Sequence, residues 1–215
     1  KPPVVDLEEP RRTAEAIKSM QMRHVVITSV DRDDLKDDYG AEIWAETICQ
    51  IREHSPECTI EVLVPDFRNY TPAYKKVFQA QPDIFSHNIE CAERISRQVR
   101  PQSDWKRSAS VLKASVEWGL KTKTGMMVGL GEDDKEVIQT MQDMANLGIT
   151  IFNIGQYLQP TLKHLPVNRF VHPDTFNMYK EKGLEMGFSV VESGPLVRSS
   201  YHADEQARQL ETVKH

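Results

Sequence analysis

Residues 121–154 read KTKTGMMVGLGEDDKEVIQTMQDMANLGITIFNI, and the change of period along them decides the fold. Residues 121–127 read as a strand with mixed alternation. The chain then passes through Val128-Gly129-Leu130-Gly131-Glu132. Over 134–147 the apolar residues switch to helical spacing, with Val137, Ile138, Met141, Met144 and Leu147 on one face. Gly148 stops that helix. Ile149-Thr150-Ile151-Phe152-Asn153-Ile154 follows as a second apolar strand. A strand, a helix and a strand with short connections make a βαβ unit, which requires a parallel sheet.

The same alternation extends in both directions. Upstream, 24–28 is a β-branched strand, 41–54 a helix with Ile43, Trp44, Ile48 and Ile51, and 60–64 a strand ending at Pro65-Asp66-Phe67. A helix near 72–80, a strand over 84–86 and a helix over 105–118 come next. Downstream, helix 173–186 leads to a strand over 188–191 and a final polar helix over 203–213. An extended entry over 1–10 precedes a helix over 11–22. Six strands without a long break or linker predict one domain over 1–215, with 194–215 as a C-terminal extension.

Every strand ends in polar residues. These ends are Ser29-Val30-Asp31-Arg32-Asp33-Asp34, Pro65-Asp66, His87-Asn88-Ile89-Glu90, Gly129-Leu130-Gly131-Glu132, Gly155-Gln156-Tyr157 and Arg198-Ser199-Ser200-Tyr201-His202. Ligands of parallel α/β folds lie beyond the carboxyl ends of the strands. A doubly wound sheet gathers only some of those ends, at its switch point. A barrel or open half-barrel gathers all of them, so the pattern predicts a TIM-like barrel with a convergent site. The last stretch has a plainer reading, in which its hydroxyls and Arg198 cap backbone in a C-terminal connection turned at Gly194-Pro195.

Gly129-Leu130-Gly131 permits close backbone approach to a flat ligand, or simply a tight turn ahead of a helix capped by Glu132-Asp133-Asp134. It lacks the third glycine of a dinucleotide fingerprint. If the strand at 84–86 continues, Asn88 and Glu90 share one face and His87 and Ile89 the other. Asn88 and Glu90 then suit ribose hydroxyls or a substrate amide. Lys123 reads as a snorkelling side chain, with a Schiff base as the sharper alternative. His87, His164 and His202 have no metal-ligand spacing.

The 215 residues carry a net charge of −5, with 39% hydrophobic and 27% charged residues. No basic stripe or tail calls for nucleic acid. No apolar run approaches the roughly 20 residues of a membrane span. Cys49, Cys58 and Cys91 match no zinc or iron–sulfur spacing and read as packing residues. A compartment of cytosolic type is expected, or an organelle if a leader is removed.

Taken together, Val25-Val26-Ile27-Thr28-Ser29-Val30-Asp31-Arg32-Asp33-Asp34-Leu35, Val64-Pro65-Asp66-Phe67, His87-Asn88-Ile89-Glu90, Val99-Arg100-Pro101, Thr124-Gly125-Met126-Met127-Val128-Gly129-Leu130-Gly131-Glu132, Gly155-Gln156-Tyr157-Leu158-Gln159-Pro160-Thr161 and Gly194-Pro195-Leu196-Val197-Arg198-Ser199-Ser200-Tyr201-His202-Ala203 resemble the lipoyl synthase family of radical S-adenosylmethionine enzymes. The resemblance covers nearly the whole chain. It implies a partial (βα)6 barrel. It also implies insertion of two sulfur atoms, at carbons 6 and 8, into an octanoyl chain on a lipoyl carrier domain or H protein. A 5′-deoxyadenosyl radical would form at one 4Fe–4S cluster, fed by flavodoxin or ferredoxin, and a second, auxiliary cluster would donate the sulfur.

By position in that family, Ser29, Asn88 and Glu90 are implied contacts of the methionyl and ribose parts of S-adenosylmethionine, with Gly129 and Gly131 near adenine. Gln156 and Tyr157 join that cofactor set, and with Arg32 and Arg198 would orient substrate or cluster. Arg198, Ser199 and Ser200 are the implied catalytic residues, one serine oxygen being a ligand of the auxiliary iron. The family's CxxxCxxC motif is expected just before Lys1, with a second cysteine trio further upstream, and the chain is expected to begin after the first barrel strand. The covered chain alone is therefore expected to hold neither cluster firmly and to be inactive. Two rival readings remain. One is a metal-independent barrel aldolase or isomerase using Lys123 or the strand-end carboxylates. The other is a non-catalytic barrel that binds a carrier protein.

Overall fold

The computed structural model describes residues 4–212. The expected entry and final helix run past these bounds, at residues 1–3 and 213. In chain order the elements are α1 (Glu9–Ser19), β1 (His24–Thr28), α2 (Ala41–His54), β2 (Thr59–Leu63), α3 (Thr71–Gln79), β3 (Ile84–Ser86), α4 (Ser96–Val99), α5 (Trp105–Glu117), β4 (Thr122–Val128), α6 (Asp134–Asn146), β5 (Ile151–Gln156), α7 (Pro173–Glu185), β6 (Val190–Gly194) and α8 (Ala203–Thr212).

The six strands form one parallel sheet in the order β1-β2-β3-β4-β5-β6. Sequential order without reversal means the sheet has no switch point, so all six carboxyl ends lie on one rim. No pairing joins β1 to β6 among the described residues, and the sheet is an open, partial barrel. The helices pack outside it and form two apolar cores. Ile17, Trp44, Ile48, Val77 and Phe78 cover one half. Val137, Met141, Phe176 and Tyr179 cover the other. At roughly 1.5–3 kcal/mol for each large side chain buried, these faces supply the main drive to fold.

Local chemistry sets the element boundaries. The first helix starts before Pro10, not after it as expected, because proline is accepted in a first helical turn. A capping box of Asp133 and Glu136 starts α6. The last strand starts two residues later than expected and ends three later, at Gly194. The Gly194 carbonyl then accepts from Val197 N–H at 3.1 Å, which closes the turn that Gly194 and Pro195 predict. α8 lies against both β1 and β6. Its Ala207 and Leu210 pack on Ile84, Ile151 and Val190, the first residues of three strands. It thereby plugs the lower end of the open barrel.

Candidate functional site

The chain leaves β3 at Ser86 and touches β4 again at Glu90. Glu90 N–H donates to Gly125 O at 3.0 Å, and Glu90 O accepts from Met127 N–H at 2.8 Å. This return alternates the side chains as expected. His87 turns outward and is buried, with ring nitrogens 2.8 Å from Val64 O and 2.9 Å from Ser108 Oγ. Burial holds its pKa below the ordinary value. Ile89 joins the outer core. Asn88 and Glu90 face inward and line a cavity of about 200 Å³ with Gly125, Met126, Met127, Asn153, Gly155, Val197, Arg198 and Ser199.

Two glycines shape this cavity. A Cβ on Gly125 would sit 3.4 Å from Asn88 Oδ1 and 3.2 Å from Asn153 O. A Cβ on Gly155 would collide with Val197 O at 2.2 Å, so only glycine lets the 197–199 segment lie across β5. Among the described residues the Glu90 carboxylate meets Arg100 Nη1, at 3.5 Å. The cavity therefore offers an amide, a weakly paired carboxylate and bare backbone.

Below the cavity on β4, Lys123 departs from both of its expected readings. It neither snorkels nor stands free for a Schiff base. Its Nζ is 2.9 Å from Glu61 Oε1 on β2 and 3.0 Å from Oε2, with the two side chains 1% and 0% exposed. Burial pushes the lysine pKa down and the glutamate pKa up, each opposed by the partner's charge. A buried amine already paired to a buried carboxylate is not presented to substrate, which removes Lys123 from the aldolase reading.

With this geometry in place, the relatives are informative. A family model described as the Radical SAM superfamily matches residues 1–144. The lipoyl synthase of Rubrobacter xylanophilus is 53% identical over 208 residues, covering 96% of this chain and 64% of that protein. That of Christiangramia forsetii is 49% identical, covering 94% and 69%. The chain belongs to the lipoyl synthase family. The mitochondrial lipoyl synthase of Nematostella vectensis is 48% identical, covering 95% of this chain and 70% of its own. The chain thus spans about two thirds of the length of these lipoyl synthases.

Among solved structures, Streptococcus suis SuiB bound to S-adenosylmethionine superposes with a TM-score of 0.69 at 9% identity, over 90% of this chain and 45% of its own. Methylornithine synthase (PylB) does so with a TM-score of 0.61 at 14% identity, over 97% and 72%. These likenesses show the fold, a partial TIM-like barrel.

Of the residues that the lipoyl synthase resemblance singles out, the cavity gathers Asn88, Glu90, Arg198 and Ser199. The others lie apart. Ser29 is exposed and donates to Val30 O at 3.0 Å. Arg32 is held by Asp34 at 2.8 Å. Gly129 (φ +95°) is closed off by protein, because an added Cβ would meet Gln156 Nε2 at 2.3 Å and Arg169 O at 2.4 Å. Gly131 (φ +116°) is more open, since an added Cβ would come no closer than 3.9 Å to the Asn168 side chain.

Gln156 and Tyr157 face away from the cavity. The Gln156 amide donates to Val128, Tyr157 and Arg169 carbonyls and accepts from Val171 N–H at 2.9 Å. It ties the 169–171 loop to β5. Tyr157 OH donates to Leu165 O at 2.8 Å, and its ring packs with Cys91, Ile95 and Leu130. Ser199 and Ser200 are split between two walls. Ser199 faces the cavity, and Ser200 with His202 lines a groove of about 980 Å³ between α1, β1 and α8. Gly125, Asn153 and Gly155 were not expected in the site. Their signal was parity, since 153 and 155 share a strand face and 156 lies on the other.

The cysteines fit no cluster in this lipoyl synthase family chain. Cys58 and Cys91 are buried, and burial pushes the Cys91 thiol up to about 12. Cys49 is exposed on α2 rather than packed. No group of three or more His, Cys, Asp or Glu is placed to hold a metal ion among the described residues. No helix among them is long and apolar enough to cross a membrane.

Proposed function

We propose that this chain is the barrel of a radical sulfurtransferase that inserts sulfur at carbons 6 and 8 of a carrier-bound octanoyl chain. About one-half identity to lipoyl synthases over nearly all of the chain carries this reading. On it, S-adenosylmethionine lies along Asn88, Glu90, Gly125, Gly155 and Arg198. Bound there, it supplies radical chemistry able to take hydrogen from an unactivated C–H bond. The Glu90 carboxylate and the Asn88 amide receive the ribose hydroxyls, and the two glycines leave room for the nucleoside.

The described residues offer no thiolate set for either iron–sulfur cluster. Ser199 or Ser200 would supply one oxygen ligand of the auxiliary cluster. The substrate carrier is an octanoylated lipoyl domain or H protein, and the electron donor a flavodoxin or ferredoxin. Exposed Val30, Leu158 and Leu196 on strand-end loops suit the arrival of an apolar acyl chain. On this reading the enzyme works in the cytosol or an organelle.

Titration of S-adenosylmethionine tests the site. In an enzyme of the relatives' full length, Asn88→Ala and Glu90→Ala should each weaken binding by about 1–3 kcal/mol, the cost of leaving a buried polar group unpartnered. Unchanged affinity in both variants would remove these residues from the site.

A further inference from the structure

The geometry points to Asn153 and Gln206 as a polar clamp that positions the 198–201 segment, a role that rests on the function proposed above for its catalytic consequence. Asn153 is 3% exposed on β5, and Gln206 is 1% exposed on α8. Asn153 Nδ2 donates to Arg198 O at 3.2 Å and to Ser199 O at 3.4 Å. Gln206 Nε2 donates to Tyr201 O at 2.9 Å and to Asn153 Oδ1 at 3.4 Å. Two buried amides therefore grip three consecutive-turn carbonyls and each other.

The gripped segment needs such a grip. Arg198 and Ser200 are exposed and Ser199 is half-buried, so side-chain burial contributes little there. Its apolar anchors, Val197 and Ala203, lie at its two ends. Gly155 supplies the space beneath it, as the 2.2 Å collision of an added Cβ with Val197 O shows. Asn153 also lines the cavity beside Asn88. One amide thus links the wall of the cavity to the backbone that presents Arg198 and Ser199. The clamp fixes Ser199 toward the cavity and Ser200 toward the groove. Asn153 and Gln206 are positioning residues, since they act through the segment they hold.

Asn153→Ala and Gln206→Ala release it from opposite ends. The first readout is hydrogen exchange of the peptide spanning 195–203 in the 215-residue chain, which involves neither cofactor nor turnover. Exchange should rise about tenfold or more in each variant while the sheet peptides stay as protected as in the parent. The second readout, in the full-length enzyme, is lipoyl product formed per 5′-deoxyadenosine released. That ratio should fall about fivefold or more, whereas a merely destabilised protein would lose both products together. Unchanged exchange in both variants would overturn the clamp. Faster exchange with an unchanged ratio would overturn its positioning role. A parent enzyme that makes no lipoyl groups would defeat the proposed function, and the exchange readout would still decide the clamp.

Discussion

Lys123→Met should lower the unfolding free energy by about 3–5 kcal/mol, because it leaves the Glu61 carboxylate buried without its cation. For a protein of this size that is a fall of roughly 6–20 °C in melting temperature. Methionine keeps most of the lysine volume, so the loss reports charge and not a cavity. Adding Glu61→Leu should restore most of the stability, since a buried ion pair is often no better than a packed apolar pair.

The defect should also depend on pH. Burial raises the folded pKa of Glu61 above the 4.5 of an ordinary glutamate. Without Lys123 the main opposition to that rise is gone, and the Ser86 hydroxyl is left to oppose it. The folded variant then holds a proton that the unfolded chain releases above pH 4.5. Stability contributed by that proton is present at low pH and lost as pH rises through the folded pKa. The deficit of Lys123→Met should therefore shrink on acidification. A single variant that melts with the parent at neutral pH would show that the pair is not buried as described.

The second large effect belongs to the serines. If Ser199 or Ser200 is an iron ligand, as proposed, alanine at that position should cut lipoyl formation by about 10–100-fold, as loss of metal-site contacts commonly does. On the proposed function, release of 5′-deoxyadenosine should continue, because the radical-generating cluster would be held by its own thiolates. The other serine, on the opposite wall, should tolerate alanine. Cysteine at the ligand position should give a tighter and less labile iron site, since thiolate suits iron better than alkoxide. The two products are counted in one assay by mass spectrometry. Normal lipoyl formation by both alanine variants would return the segment from Arg198 to Tyr201 to a capped connection.

Much of this was legible in the sequence for a simple reason. The change between helical and strand periods is local, so α2 and β3 fall at the expected residues and most others within two. The polar strand ends were legible as one shared rim because sequential parallel strands put every carboxyl end on the same side, although only some of the expected residues meet in one cavity. Asn88 and Glu90 were legible by strand alternation. The Glu61–Lys123 pair was not, because its partners are 62 residues apart and meet only through the sheet. A charged residue inside each of two apolar strands was the available signal. Gly129 and Gly155 could not be ranked, since which glycine faces a ligand depends on the loop that packs over it. Gln156 and Tyr157 looked like ligand contacts beside Gly155, but strand parity and the 165–171 loop turn them to backbone partners.

The most direct test of the whole account is a single turnover assay. The protein at the length of its relatives is reconstituted anaerobically with iron, sulfide, S-adenosylmethionine, a reductant and an octanoylated carrier domain. The carrier is then weighed by mass spectrometry. The account predicts conversion of the octanoyl group to lipoyl, with 5′-deoxyadenosine released alongside. An octanoyl carrier left unchanged by an enzyme that holds its clusters and cleaves S-adenosylmethionine would contradict it.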